Sequence, residues 1–138
     1  MAEPAPFTCL ARLDCVPSLA DHLRRCCAGG AVPDAALIDL ELALVEAANN
    51  IVIHGSAGRD AGVIEMTVAH DEAAIMLDLW DDGARMPEGQ LSACRPFSLD
   101  AESGRGIGII QSCIDDIAYN REGDRNHLRL TKRLPARD

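Results

Sequence analysis

The chain has 138 residues, 48% of them hydrophobic and 25% charged, with a formal net charge of −9. These values describe one globular domain with a single core and exclude an intrinsically disordered chain. The negative balance and an aromatic content of 3% run against a nucleic-acid contact, which needs cations along the phosphates and rings for the bases.

FTCLARLDCV, residues 7–16, puts Phe7, Cys9, Ala11, Leu13 and Cys15 on alternate positions, which predicts a strand. Ser18 stands where a helix N-cap would, ahead of LADHLRRCCAGG, and Gly29-Gly30 supplies a stop. Pro33 and Asp34 open a second helix. Leu37, Leu40, Leu44, Ala47, Ala48 and Ile51 keep its repeat as far as His54-Gly55. SAGRDAG is a turn-rich connection. VIEMTVAH (63–70) and AAIMLDLWDD (73–82) read as strands joined at Asp71-Glu72. Residues 83–103 show neither period, and a loop of about 20 residues in a compact domain is often a functional lid. GRGIGIIQSCIDDI reads as a Gly-rich turn entering a helix. DIAYNRE and NHLRLTKRL read as a strand pair around Gly123, before the polar tail PARD. The order β-α-α-β-β-lid-α-β-β predicts an α/β two-layer sandwich. Its one sheet has about five strands, mixed but mostly antiparallel, with three helices on one face. No repeat or linker divides the chain, so residues 1–138 form a single domain.

The six cysteines are Cys9, Cys15, Cys26, Cys27, Cys94 and Cys113. No CxxC spacing occurs among them, and Cys26-Cys27 is a vicinal pair. MAEPAPF has neither a basic region nor an apolar run, and no segment reaches the roughly 18 apolar residues of a membrane span. They are therefore read as free, mostly buried thiols of a cytoplasmic protein without membrane contact. A zinc site built from these thiols and the four histidines is the alternative.

Three local features carry chemistry. Glu46, Asn50 and His54 lie at i, i+4 and i+8, along one line of the second helix. The carbonyl oxygen of an Asn is a hard ligand that suits Mg²⁺, and a Glu one turn away is placed to accept a proton. An ordinary polar helix face gives the same spacing. In LWDDGARMP, an apolar strand ends at Asp81-Asp82-Gly83. A carboxylate there is an acceptor for a base amino group, and Gly83 leaves room for a flat ring. A plain strand-ending turn also fits. In SGRGIGII, Gly104, Gly106 and Gly108 precede a helix and would expose amides to a phosphate. Neither a P-loop nor a dinucleotide fingerprint is present, and a lid hinge reads equally well.

Taken together, these segments resemble the GHKL (Bergerat-fold) ATPase superfamily, the ATP-binding module of gyrase, histidine kinases and MutL. Within it the chain is similar to the anti-sigma factor serine/threonine kinases of bacterial partner switching. VEAANNIVIHG (45–55) matches the family's N-box, DDG (81–83) its first glycine box and SGRGIGII (103–110) its second; HLRLTKRL (127–134) matches its last strand. The resemblance implies that ATP or ADP binds with Mg²⁺ and that Asn50 holds the metal. It implies Glu46 as general base, Asp81 as acceptor of the adenine amino group, and Gly83 beside the ring. Gly104, Gly106 and Gly108 would hold a lid of about 83–103 around the phosphates, with Ile107 in the same binding set and Arg105 either reaching the γ-phosphate or left in solvent. Thr131 would help to bind adenine through water, and His54-Gly55 would shape the helix end. The implied activity is sequestration of a sigma factor and phosphorylation of a serine on an anti-sigma factor antagonist (STAS-type). A homodimer is implied, with residues 7–28 as a candidate surface and plain core packing as their other reading. Arg85 stands where the first glycine box often has a second Gly, which bears on lid geometry. Other classes are an inactive scaffold of the same fold that acts by contact alone and an ATPase-type regulator with no sigma partner.

Overall fold

The computed structural model describes residues 5–29, 32–55, 62–83, 110 and 112–135. In chain order these form β1 (Phe7–Leu10), a 3-10 turn (Leu13–Cys15), α1 (Val16–Cys26), α2 (Asp34–Gly55), β2 (Val63–His70), β3 (Ala74–Asp81), β4 (Asp116–Glu122) and β5 (Arg125–Arg133). Ile110, Ser112 and Cys113 are also helical, where a third helix is expected. The strands make one sheet in the order β1-β2-β3-β5-β4. All four pairings are antiparallel, so the sheet is not mixed among the described residues. Apart from Gly83 and Ile110, the lid and the second glycine box lie outside the described residues.

The first strand is shorter than its alternation suggests. Phe7 and Cys9 face the helices, and the pattern reaches buried Ala11, whose N–H donates to the Gly62 carbonyl at 2.8 Å. Arg12 N–H then turns back to the Leu10 carbonyl at 2.8 Å, and Leu13 is left exposed. Helix α1 begins before Ser18, because Pro17 fits a first turn where its missing N–H costs nothing. Ser18 is therefore not a cap. Its hydroxyl donates back to the Cys15 carbonyl at 2.6 Å. Helix α2 starts at Asp34 and runs through His54-Gly55. Asp71 turns β2 into β3 by accepting the N–H groups of Ala73 (2.7 Å) and Ala74 (3.0 Å) on one oxygen. Gly123, at φ 60°, occupies the first central position of the two-residue turn between β4 and β5, where an L side chain would be strained.

Register decides the core. Ile64, Met66 and Val68 of β2, Ile75, Leu77 and Leu79 of β3, and Leu128 and Leu130 of β5 share the face that meets the helices. Leu19 and Leu23 of α1 and Leu40, Ala43, Leu44, Ala47, Ala48 and Ile51 of α2 complete it. Lys132 Nζ to Asp39 at 3.2 Å ties β5 to α2.

The other sheet face carries a polar and aromatic lattice. Asp78, 6% exposed, accepts from His127 Nε2 at 2.6 Å and Arg129 Nε at 2.8 Å. His127 stacks on Trp80 at 4.7 Å, and Arg125 lies over the same indole while pairing with Glu65. Among the described residues no helix is long and apolar enough to cross a membrane. Leu77 is fully buried at the centre of the sheet. Leu77→Ala is expected to lower the unfolding free energy by about 2–5 kcal/mol in urea melts.

Candidate nucleotide site

Residues Ile75, Leu77 and Leu79 point toward the helices, and strand periodicity carries Asp81 onto the same face. The carboxylate, 7% exposed, thus ends an apolar row, in register between Ile64 of β2 and Asn126 of β5. Burial pushes its pKa up, because an ion loses hydration there, and neighbouring Asp82 adds to that rise. Three groups oppose it: the Asn126 amide, the Gly83 N–H and the Arg121 cation.

The hydrogen bonds give the arrangement its direction. Asp81 Oδ1 accepts from Gly83 N–H and from Asn126 Nδ2, both at 2.9 Å. Asn126 Nδ2 also donates to the Gly83 carbonyl at 3.1 Å. Asn126 Oδ1 accepts from the Tyr119 hydroxyl and from Arg121 Nη1, both at 2.9 Å. Arg121 Nη1 donates as well to the Gly83 carbonyl at 3.1 Å. Only one orientation of the Asn126 amide satisfies these partners, since Arg121 has donors alone while the carbonyl and the ionised carboxylate only accept. Among the described residues every hydrogen bond to Asp81 reaches Oδ1. Oδ2 is left for an incoming donor.

Glu46 and Asn50 lie near the C-terminal end of α2, the end from which the chain passes to β2. Glu46 is half-buried and Asn50 is 8% exposed, on the margin between the core stripe and the open helix face. Buried amides are normally hydrogen-bonded. No hydrogen bond reaches the Asn50 side chain among the described residues, and its polar atoms are not sealed from solvent. A solvent-open Asn oxygen at the rim of the core, one turn from a carboxylate, has the chemistry that Mg²⁺ accepts.

Thr131 is not brought to this group. It lies five residues from Asn126 along β5, about 17 Å away, and its odd spacing puts it on the opposite face, in register with Met76 and Asp116. The residue facing Asp81 across the strands is Asn126. Gly104, Arg105, Gly106, Ile107, Gly108 and Arg85 lie outside the described residues. His54 closes α2, and nothing is described of its side chain. Asn126, Arg121 and Tyr119 were not anticipated from the sequence. An available signal was Asn126 itself, a weak strand former in phase with buried Leu128 and Leu130. Cys27 and Cys113 are buried, and Cys9, Cys15 and Cys26 half-buried; all five are free. Among the described residues no three His, Cys, Asp or Glu side chains converge as a metal site.

The model of the family described as "Histidine kinase-like ATPase domain" matches residues 9–132. The chain belongs to this family. The match takes in α1, α2, β2, β3 and β4 whole, the second half of β1 and all of β5 but its last residue. The serine/threonine-protein kinase BtrW of Bordetella bronchiseptica is 32% identical over 95 residues, 67% of this chain and 67% of that protein. The anti-sigma F factor of Bacillus licheniformis is 26% identical over 102 residues, 71% of this chain and 70% of that protein. Among solved structures, the RsbU and RsbW domains of a Mycobacterium tuberculosis protein align with a TM-score of 0.61 at 19% identity, over 96% of this chain and 34% of that one. The histidine kinase domain of a blue-light activated kinase from Erythrobacter litoralis aligns with a TM-score of 0.60 at 16% identity, over 88% of this chain and 60% of that one. At these identities the two structures show the fold alone.

Because Asn126 supplies one of the two hydrogen bonds to a buried carboxylate, Asn126→Ala is expected to cost about 1.5–3 kcal/mol of stability. Calorimetric or urea unfolding at neutral pH checks it; a change within 0.5 kcal/mol would mean that water replaces the amide.

Proposed function

We propose that this protein is an anti-sigma factor with serine-protein kinase activity, which binds ATP with Mg²⁺, sequesters a sigma factor and phosphorylates a serine on a STAS-type antagonist. The carrying observation is Asn50, a nearly buried amide without a protein partner among the described residues, one helical turn from Glu46. Family membership supports ATP as the ligand, and the names of the curated relatives support the kinase and anti-sigma roles.

The roles divide by chemistry. Asp81 Oδ2 accepts a hydrogen bond from the adenine amino group, with the ring beside Gly83. Asn50 holds Mg²⁺, which neutralises phosphate charge when bound. Gly104, Gly106 and Gly108 offer backbone amides to the phosphates, with Arg105 and Ile107 between them. Glu46 takes the proton of the antagonist's serine hydroxyl while that oxygen forms a bond to the γ-phosphorus and the bond to ADP breaks. Phosphoryl transfer of this kind is mainly a matter of position and charge, which suits a site with few reactive groups. Residues 7–28 are the proposed homodimer and sigma-facing side.

Two measurements test this. Calorimetric titration of ATP with and without Mg²⁺ is expected to show Mg²⁺-dependent binding in wild type and its loss in Asn50→Ala. Transfer from γ-labelled ATP to the antagonist is expected to fall about 10²–10⁴-fold in Glu46→Gln with ATP affinity retained. Wild-type binding without any transfer to a serine would instead favour a scaffold that acts by contact. The raised Asp81 pKa gives a pH signature. The ionised carboxylate is the stronger acceptor for the amino group, so affinity is full above that pKa and falls as pH drops through it. The loss is expected to begin above the ordinary aspartate range and to disappear in Asp81→Asn.

A further inference from the structure

We propose that Arg121 and Asn126 act as a specificity clamp, holding Asp81 as an acceptor-only group that selects a 6-amino purine over a 6-oxo purine. The proposal rests on the ATP reading of the Asp81 site and goes further, by naming what enforces the base choice.

A lone carboxyl at the end of an apolar strand would be ambiguous. Ionised, it accepts from the amino group of adenine. Protonated, it donates, and then the O6 of guanine is a suitable partner. Burial and Asp82 both push Asp81 toward the protonated form. The charged groups acting on it among the described residues are Asp82, next in the chain, and Arg121 of β4.

The clamp works against protonation in two ways. Asn126 Nδ2 fills Oδ1 at 2.9 Å, together with the Gly83 N–H. Both N–H donors favour the ionised form, because a hydrogen bond to a carboxylate is stronger than one to a neutral carboxyl. Arg121 supplies the positive charge, and it also locks Asn126 by donating to its Oδ1 at 2.9 Å. Both residues donate to the Gly83 carbonyl at 3.1 Å. The same pair thus fixes the carboxylate, its free oxygen and the backbone beside the base. Tyr119 supports Asn126 from β4 at 2.9 Å. Arg121 and Asn126 face each other in the β4–β5 ladder, so the clamp is built into the sheet.

Both residues act through Asp81 and are positioning residues. The test titrates ATP and GTP into wild type, Arg121→Met, Arg121→Lys and Asn126→Ser, and follows the Asp81 carboxyl by carbon NMR against pH without ligand. Wild type is expected to bind ATP and to discriminate strongly against GTP. Arg121→Met is expected to shrink the ATP/GTP ratio up to about tenfold and to move the Asp81 titration to higher pH. Arg121→Lys is expected to restore part of both, and Asn126→Ser to shift both in the same direction as Arg121→Met. Folded variants with an unchanged ATP/GTP ratio and an unchanged Asp81 titration overturn the clamp and leave the ATP reading standing. Failure of wild type to bind ATP overturns that reading and the base choice with it. The ligand-free titration then still separates a carboxylate held ionised by Arg121 from one that is not.

Discussion

Most of this structure depends on the register of β3 against β5. Leu79 opposite Leu128 and Leu77 opposite Leu130 put an apolar surface under α2. The same register places Asp81 opposite Asn126 at the end of that surface, and Trp80 opposite His127 on the other side. Side chains alternate with a period of two, so a slip of one residue would move the Asp81–Asn126 pair to the open face and the indole inward. Core packing and site assembly are therefore set by one choice. The leucines hold it by burial, and the polar pair at the end accepts it.

Polar groups inside the domain fall into two kinds. Asp78 lies under His127 and Arg129 and is fully engaged within the sheet. It joins β3 to β5 and presents little to a ligand. Asp81 is engaged on one oxygen only, and Asn50 on neither polar atom among the described residues. Their remaining polar atoms are open to solvent rather than sealed in the core, so water or a ligand can complete their contacts. That contrast distinguishes the two carboxylates where burial does not, since Asp78 and Asp81 are about equally hidden.

The clamp also joins strand and loop. Gly83 begins the long segment after β3, and its carbonyl accepts from both Arg121 and Asn126. The β4–β5 hairpin, remote in sequence, thereby fixes the point from which that segment departs. Substitution in the hairpin would reach the Asp81 carboxylate and the Gly83 backbone together.

The sequence by itself determined the periodic elements, among them the long helix that carries Glu46 and Asn50 and the strand that ends at Asp81. Strand alternation located β2, β3, β4 and β5 closely, and the helical repeat located α2 with its Asp34 start. These signals are local, because a half-buried strand or helix writes its period into the chain. The tertiary structure decided the rest. It ended β1 at Leu10 and started α1 before Ser18, because a turn at Ala11 and Pro17 outweighed a pattern continuing to Cys15. It made every described pairing antiparallel, which depends on which strands meet. It also separated Thr131 from Asp81 and put Asn126 there instead. Thr131 and Asn126 are five residues apart on one strand, and the sequence alone does not say which of them faces the end of another strand 45 residues away. Only the register between the two strands does.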